Sequence, residues 1–195
     1  MKLLPRFFNS PGFYNLIQWI LAPIGSLEIR GKLFEFSKNV NGRILDIGCG
    51  TGKYAGVFLD KEYSGVDIDE AYLDHARKKY PRGKFFQVSS IKLPFEDSYF
   101  NFVFSVSTFH HLTDEEVAIS IAEMRRVCRP GGLMVVIDNI YPTGWNFLGY
   151  ALFKLDRGRN QRTFQKMSYL MGRHGFSGAP FFGFPYEYSV FQASK

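Results

Sequence analysis

Hydrophobic positions recur along this chain with two different periods, and the change between them divides it. Phe13, Leu16, Ile17, Ile20, Leu21 and Ile24 fall three and four residues apart, which predicts an amphipathic helix stopped near Pro23 to Gly25. A shorter helix is expected across "LEIRGKLFEFSK". From Arg43 the pattern alternates. "RILDIG", "YSGVDI", "KFFQVS", "FNFVFSV" and "GGLMVVID" read as buried strands, with "TGKYAGVFLD", "DEAYLDHARKKY" and "DEEVAISIAEMRRVC" as helices among them. Alternation at this spacing predicts right-handed βαβ crossovers and a parallel sheet with helices on both faces. It ends after Asp138. Asn139 to Phe164 is expected to be a helical or loop insertion above the sheet, and "QKMSYLMGRHGF" a last helix. "APFFGF" and "YEYSVFQAS", on either side of Pro185, predict an antiparallel hairpin that brings the sheet to seven strands.

Composition narrows the classes open to such a chain. With 195 residues, 46% hydrophobic and 22% charged, it can bury a full core as one domain. Cys49 and Cys128 form neither a CxxC nor a Cys/His spacing, so neither a disulfide framework nor a metal site is expected, and a reducing cytoplasmic setting fits. Asn15, Gln18, Pro23 and Gly25 interrupt the early apolar run before it reaches the roughly 20 residues of a membrane span. No small-residue cleavage site closes it, so the N-terminus is expected to belong to the mature protein. The charge of +6 is concentrated in the flanks: residues 1–43 carry six Lys/Arg and two Glu, and residues 141–174 six Lys/Arg and one Asp. Basic, aromatic flanks suit an anionic small molecule or peripheral contact with lipid headgroups. No nucleic-acid module is recognisable, and no nucleic-acid partner is expected.

The chemistry concentrates in "ILDIGCGTGKYA". A phosphate-binding P-loop would need glycine at Ile47 and a hydroxyl at Tyr54, and a dinucleotide fingerprint would need glycine at Lys53. What stands there is Asp46, Gly48, Gly50 and Gly52, DxGxGxG, with Asp67 closing the second strand 19 positions after Gly48. An acid at that point can accept hydrogen bonds from both hydroxyls of a ribose.

This pattern resembles motif I of the class I S-adenosylmethionine (SAM)-dependent methyltransferases. "GVDIDEAYLDHAR", "LPFEDSYFNFVFSVSTFHHL" and "EMRRVCRPGGLMVVID" resemble the family's following motifs in order, across about half the chain. The likeness is greatest to the small-molecule subgroup with the methyltransferase type 11 domain, which includes the ubiquinone and menaquinone C-methyltransferases. It implies a Rossmann-like, doubly wound fold, SAM as cofactor, S-adenosylhomocysteine (SAH) as product, and a small-molecule methyl acceptor. It also implies roles. Asp46, Gly48, Cys49, Gly50, Thr51 and Gly52 would hold the amino-acid tail and sulfonium, with Asp46 acting directly, through water, or by tying down the turn. Asp67 would take the ribose, Ile68 the adenine face, and Ser89, Ser90 and Ile91 the adenine edge. Ser105 and Val106 would lie under the methionine part. Ser89 and Asn101 stand where the family prefers acids. Within this scheme residues 1–40 are a helical lid, 41–138 the SAM-binding core, 139–165 a substrate cap, and 166–195 the last helix and hairpin.

Methyl transfer from a sulfonium needs alignment first, and a general base only when the acceptor arrives protonated. His110 and His111 after the fourth strand are candidates, with Tyr14 in the N-terminal segment; packing roles are open to all three. The aromatic, basic lid and cap suit a lipid-like or anionic acceptor. Two other readings stay open at this stage: a SAM-binding domain of the same fold that transfers nothing, and a nicotinamide oxidoreductase, which Lys53 disfavours.

Overall fold

The computed structural model describes residues 23–144, 146, 147, 149, 150, 153, 158–183 and 185–195. Its elements are α1 (Pro23–Ser37), β1 (Arg43–Ile47), β2 (Glu62–Asp67), α2 (Glu70–Lys79), β3 (Lys84–Gln87), β4 (Phe100–Val106), α3 (Asp114–Val127), β5 (Cys128–Asn139), α4 (Phe164–Gly172), β6 (Ser177–Gly183) and β7 (Tyr186–Ser194). The strands form a seven-stranded sheet in the order β3-β2-β1-β4-β5-β7-β6. The first five are parallel, and β7 runs antiparallel to both β5 and β6, as the hairpin reading expected.

The central strands are apolar on both faces because both are covered. In β1, Ile44 faces a cluster with Phe102, Phe104, Ile29 and Leu33 of α1, and Leu73 and Ala76 of α2. Leu45 and Ile47 face the opposite cluster, with Val103, Val117, Ile121 and Met124 of α3, and Met167 and Met171 of α4. Helix starts follow local chemistry. Asp69 caps α2 by accepting from the Ala71 and Tyr72 N–H groups at 2.9 and 3.3 Å, and Thr113 with Glu116 forms a capping box on α3.

Three expectations change. The chain is helical across Pro23–Ser37, so no helix stops within Pro23 to Gly25 as expected. The amphipathic run before it lies outside the described residues. "TGKYAGVFLD" is a series of turns with one 3₁₀ turn, Ala55–Val57, not a helix. Two glycines in that stretch weaken helix propensity by about 1 kcal/mol each, and Phe58 is drawn into the core against Phe104, with centroids 5.2 Å apart. Finally, β5 begins at Cys128, ahead of the expected "GGLMVVID" strand, and carries an irregularity near its start: Phe100 pairs with Cys128 but Phe102 with Leu133.

Candidate cofactor and acceptor site

The strand order reverses between β1 and β4, so the loops leaving their C-terminal ends diverge there and open a crevice. The glycine loop leaves β1 on one side. Its Gly48 and Cys49 N–H groups donate to the Val66 carbonyl at 2.8 and 3.0 Å, and the Gly50 N–H donates to Asp67 Oδ2 at 2.8 Å. The loop, with Thr51 and Gly52, is thereby laid over the end of β2. Asp67 Oδ1 accepts from the Asp69 N–H at 3.0 Å, so two of the roughly four acceptor positions of the carboxylate are used. Ile68, next in sequence, is 72% exposed. Val88 N–H donates to the Asp67 carbonyl at 2.9 Å and Gln87 Nε2 to the Ile68 carbonyl at 3.2 Å, which brings Ser89, Ser90 and Ile91 alongside. Residues far apart in sequence thus meet at the ends of β1, β2 and β3.

The loop glycines serve different ends. Gly48 has φ +74°, and a Cβ there would lie 2.1 Å from Thr108 Oγ1, so its bareness makes room for Thr108. Gly50 has φ +52°, and a Cβ there would meet nothing within 4 Å. Of these two, Gly50 is the one whose backbone faces open space.

Asp46 sits deeper than the motif suggested. Its side chain is buried at 1% exposure, and Oδ2 accepts from the Tyr63 hydroxyl at 2.6 Å. In this arrangement it ties the end of β1 to β2. Burial pushes its carboxyl up to about 7, against the Tyr63 hydrogen bond and helped by the negative charge of Asp67. Cys49, between the two acids in the loop, is also pushed up, first by burial and then by Asp46 and Asp67. A thiol so held is no nucleophile. The carboxyl groups of Asp46 and Asp67 bear on the loop from either side, an arrangement that suits a cation better than a pyrophosphate.

The β4 and β5 side is built from side chains. Ser105 turns its hydroxyl onto the Ile47 carbonyl at 2.9 Å and is buried, and Val106 packs in the core. The next two residues are half-buried. Ser107 takes a left-handed φ of +52°, its Oγ donating to Asn139 Oδ1 at 3.2 Å, and Thr108 packs on Gly48. His110, 3% exposed, places Nδ1 2.6 Å from Asp138 Oδ1, at the end of β5. The short contact fits an Nδ1–H donated to the carboxylate, which also accepts from the Asn139 N–H at 2.8 Å. His111 is exposed and packs its ring on His110, with centroids 4.2 Å apart. Tyr14 lies outside the described residues.

A buried cation ties this loop to the segment after β5. Arg162, 3% exposed, donates from Nη1 to the Phe109 carbonyl (2.9 Å), from Nη2 to the Leu112 carbonyl (2.7 Å), and from Nε to Asp114 Oδ1 (2.9 Å). Asn160 adds its N–H to the His110 carbonyl at 3.0 Å and its Nδ2 to the His111 carbonyl at 3.2 Å. Sequence reasoning missed Asp138, Thr108 and Arg162. Asp138 carried a usable signal, an acid closing an otherwise apolar strand at the ligand-binding edge of a parallel sheet. Arg162 was hidden among the other basic residues of its segment.

This topology, with a glycine loop held on a β2 acid beside a reversed strand order, defines the class: the Rossmann-like fold of class I SAM-dependent methyltransferases. The family model described as a methyltransferase domain matches residues 45–136. A demethylmenaquinone methyltransferase of Chlorobaculum tepidum is 34% identical over 106 residues, 51% of this chain and 42% of the relative. The chain spans about half the length of the curated relatives it matches. Among solved structures, a SAM-dependent methyltransferase of Thermotoga maritima superposes with a TM-score of 0.74 at 20% identity, covering 97% of both chains. The magnesium protoporphyrin IX methyltransferase of Synechocystis, solved with bound SAH, gives 0.71 at 18% identity, covering 97% of this chain and 96% of that one. SAM is the cofactor that these matches indicate, and the two carboxylates at the loop beside an exposed isoleucine fit a cationic nucleoside with an apolar base.

Proposed function

We propose that this chain transfers a methyl group from SAM to a small lipid-like or anionic acceptor and releases SAH. The observation that carries the reading is the Gly50 N–H held on Asp67 at the crevice, with both Asp67 and Asp46 bearing on the loop. Bound SAM supplies a methyl already activated on a sulfonium. The chain supplies position and field. The remaining acceptor capacity of Asp67 takes the ribose hydroxyls, Ile68 covers one face of the adenine, and the backbone of Ser89, Ser90 and Ile91 receives its edge. Gly50 lets the amino-acid tail approach the loop backbone. Asp46 holds the turn and contributes charge from beneath.

On the acceptor side, His111 is the candidate that reaches the surface, and it takes a proton when the acceptor arrives protonated. The His110–Asp138 pair positions the loop that carries it. Tyr141, Phe147 and Tyr150, all at least 40% exposed, follow β5 on this side, within a segment rich in Lys and Arg. They support an apolar acceptor with negative charge, and a peripheral approach to lipid. No helix among the described residues is long and apolar enough to cross a membrane.

Calorimetry with SAH and labelled methyl transfer from SAM test the proposal. Asp67→Ala is expected to weaken SAH binding about 100-fold, the loss of two charge-assisted hydrogen bonds at about 1.5 kcal/mol each. Affinity within threefold of the parent would mean that the ribose lies elsewhere. Transfer to quinols or amphiphilic acids in preference to neutral polar metabolites supports the acceptor class; the reverse order rejects it.

A further inference from the structure

The opposite edge of the sheet carries its own concentration of charge. Two adjoining clefts, of about 120 and 170 Å³, open at the N-terminal ends of β1, β2 and β3, away from the glycine loop. The larger has the liquid volume of between five and six waters at about 30 Å³ each, room for a small polyatomic ion. Lys61, Tyr63 and Arg82 line both clefts; Arg43 and Lys84 line one and Lys79 the other. Among the described residues, Glu62 is the only acid in either lining.

The cations are unequally matched. Arg43 pairs with Glu62 at 3.5 Å and lies over the Tyr99 ring, 4.3 Å from its centroid. Arg82 and Lys84 have no ion pair among the described residues. Lys61 is the most telling. Its side chain is only 12% exposed, yet its ammonium makes one hydrogen bond, to the Val40 carbonyl at 2.8 Å, and stands 3.7 Å from the outward-facing Asp60, too long for a second. An ammonium has three donors, and one hydrogen bond leaves this one two to offer an acceptor in the cleft. Two unmatched cations beside this ammonium call for more than one negative charge.

We propose that this cleft binds a phosphate group through Lys61, Arg82 and Lys84, separately from the cofactor. The group could belong to a free phosphomonoester or to a phospholipid headgroup, which share this chemistry. The site is independent of methyl transfer and survives or fails without it.

Titration of the 195-residue chain with inorganic phosphate and glycerol 3-phosphate, followed by calorimetry and amide NMR shifts, tests it alongside sedimentation with phosphatidic acid or phosphatidylcholine vesicles. Expected is saturable binding of one phosphate that shifts residues 61–63 and 82–84, weakened at least tenfold by Arg82→Gln with Lys84→Gln, two exposed substitutions that leave the core alone. Lys61→Met, checked by circular dichroism, should weaken it similarly. Binding of the soluble ligands identifies a free phosphomonoester; retention on phosphatidic acid vesicles alone, lost in the double variant, identifies a headgroup. The proposal is overturned if neither form binds, if the double variant binds as the parent does, or if saturating SAH displaces the phosphate, which would place it in the cofactor crevice.

Discussion

The two sides of the crevice reach rigidity by opposite routes. On the β1 to β3 side, backbone N–H groups hang on one another and on an acid: Gly48 and Cys49 on Val66, Gly50 on Asp67. On the β4 to β5 side, side chains from distant segments do the holding, with Asp138 on His110 and Arg162 on the carbonyls of Phe109 and Leu112. The first side concentrates negative charge at a cost in stability, because Asp46 is buried and Asp67 lies near it. The second buries its charge with partners and is stabilised by doing so. The same kind of substitution, removal of a buried charge, should therefore act with opposite sign on the two sides.

The largest effect is expected at Asp46. Its pKa is raised from 3.8 to about 7, so between those values the native state holds a proton that the unfolded chain has released. Raising the pH through this window strips that proton from a buried site and lowers stability; the loss is complete above pH 7 and amounts to about 4 kcal/mol at 1.36 kcal/mol per pKa unit. Asp46→Asn keeps an acceptor for the Tyr63 hydroxyl and escapes the penalty. Urea unfolding should show the variant level with the parent near pH 4 and about 4 kcal/mol more stable at pH 8. A gap that does not change with pH would mean that the negative side carries no such cost.

Next in size is Arg162→Met. Two buried carbonyls lose their partner and Asp114 keeps only Lys166, a cost of about 3 kcal/mol. At roughly 2–4 °C per kcal/mol for a chain of this size, the melting temperature should fall by about 6–12 °C. SAH affinity should stay within about threefold, since nothing on the glycine-loop side touches Arg162. A melting temperature within 2 °C of the parent would remove the clamp from the comparison; a large loss of SAH affinity would mean that the two sides are not separable.

The same contrast explains what could be read from the chain. β1, β2, β4, β5 and the hairpin announce themselves through contiguous apolar runs, and the glycine loop through residues within seven positions of each other. Asp69 as a cap is equally local. The acceptor side depends on contacts across 28 residues for His110 with Asp138 and 48 to 53 for Arg162, and no local pattern records a partner at that distance. Even within the motif, the reason for each residue was only partly legible. Gly48 is bare because Thr108 stands against it, 60 positions later, and Asp46 reaches Tyr63 rather than the crevice. The helix expected from Thr51 to Asp60 failed because burial of Phe58 outweighed an already weak local preference.

The smallest predicted effect lies at the seam between the sides. Ser105 Oγ donates to the Ile47 carbonyl at 2.9 Å, joining the end of β4 to the residue from which the glycine loop departs. Thr108 Oγ1 donates to the same carbonyl at 3.3 Å. Ser105→Ala leaves the acceptor satisfied by Thr108 and removes one neutral hydrogen bond, so unfolding should weaken by about 1 kcal/mol. Thr108→Ser, which keeps the hydroxyl, should do less than that alone. Combined with Ser105→Ala, Thr108→Val strips both donors from Ile47, and the pair should cost more than the sum of its parts, because only the double variant leaves that carbonyl without a hydroxyl. Strict additivity in unfolding free energy would show that the two hydroxyls act independently, and that the glycine loop does not depend on a shared anchor from β4.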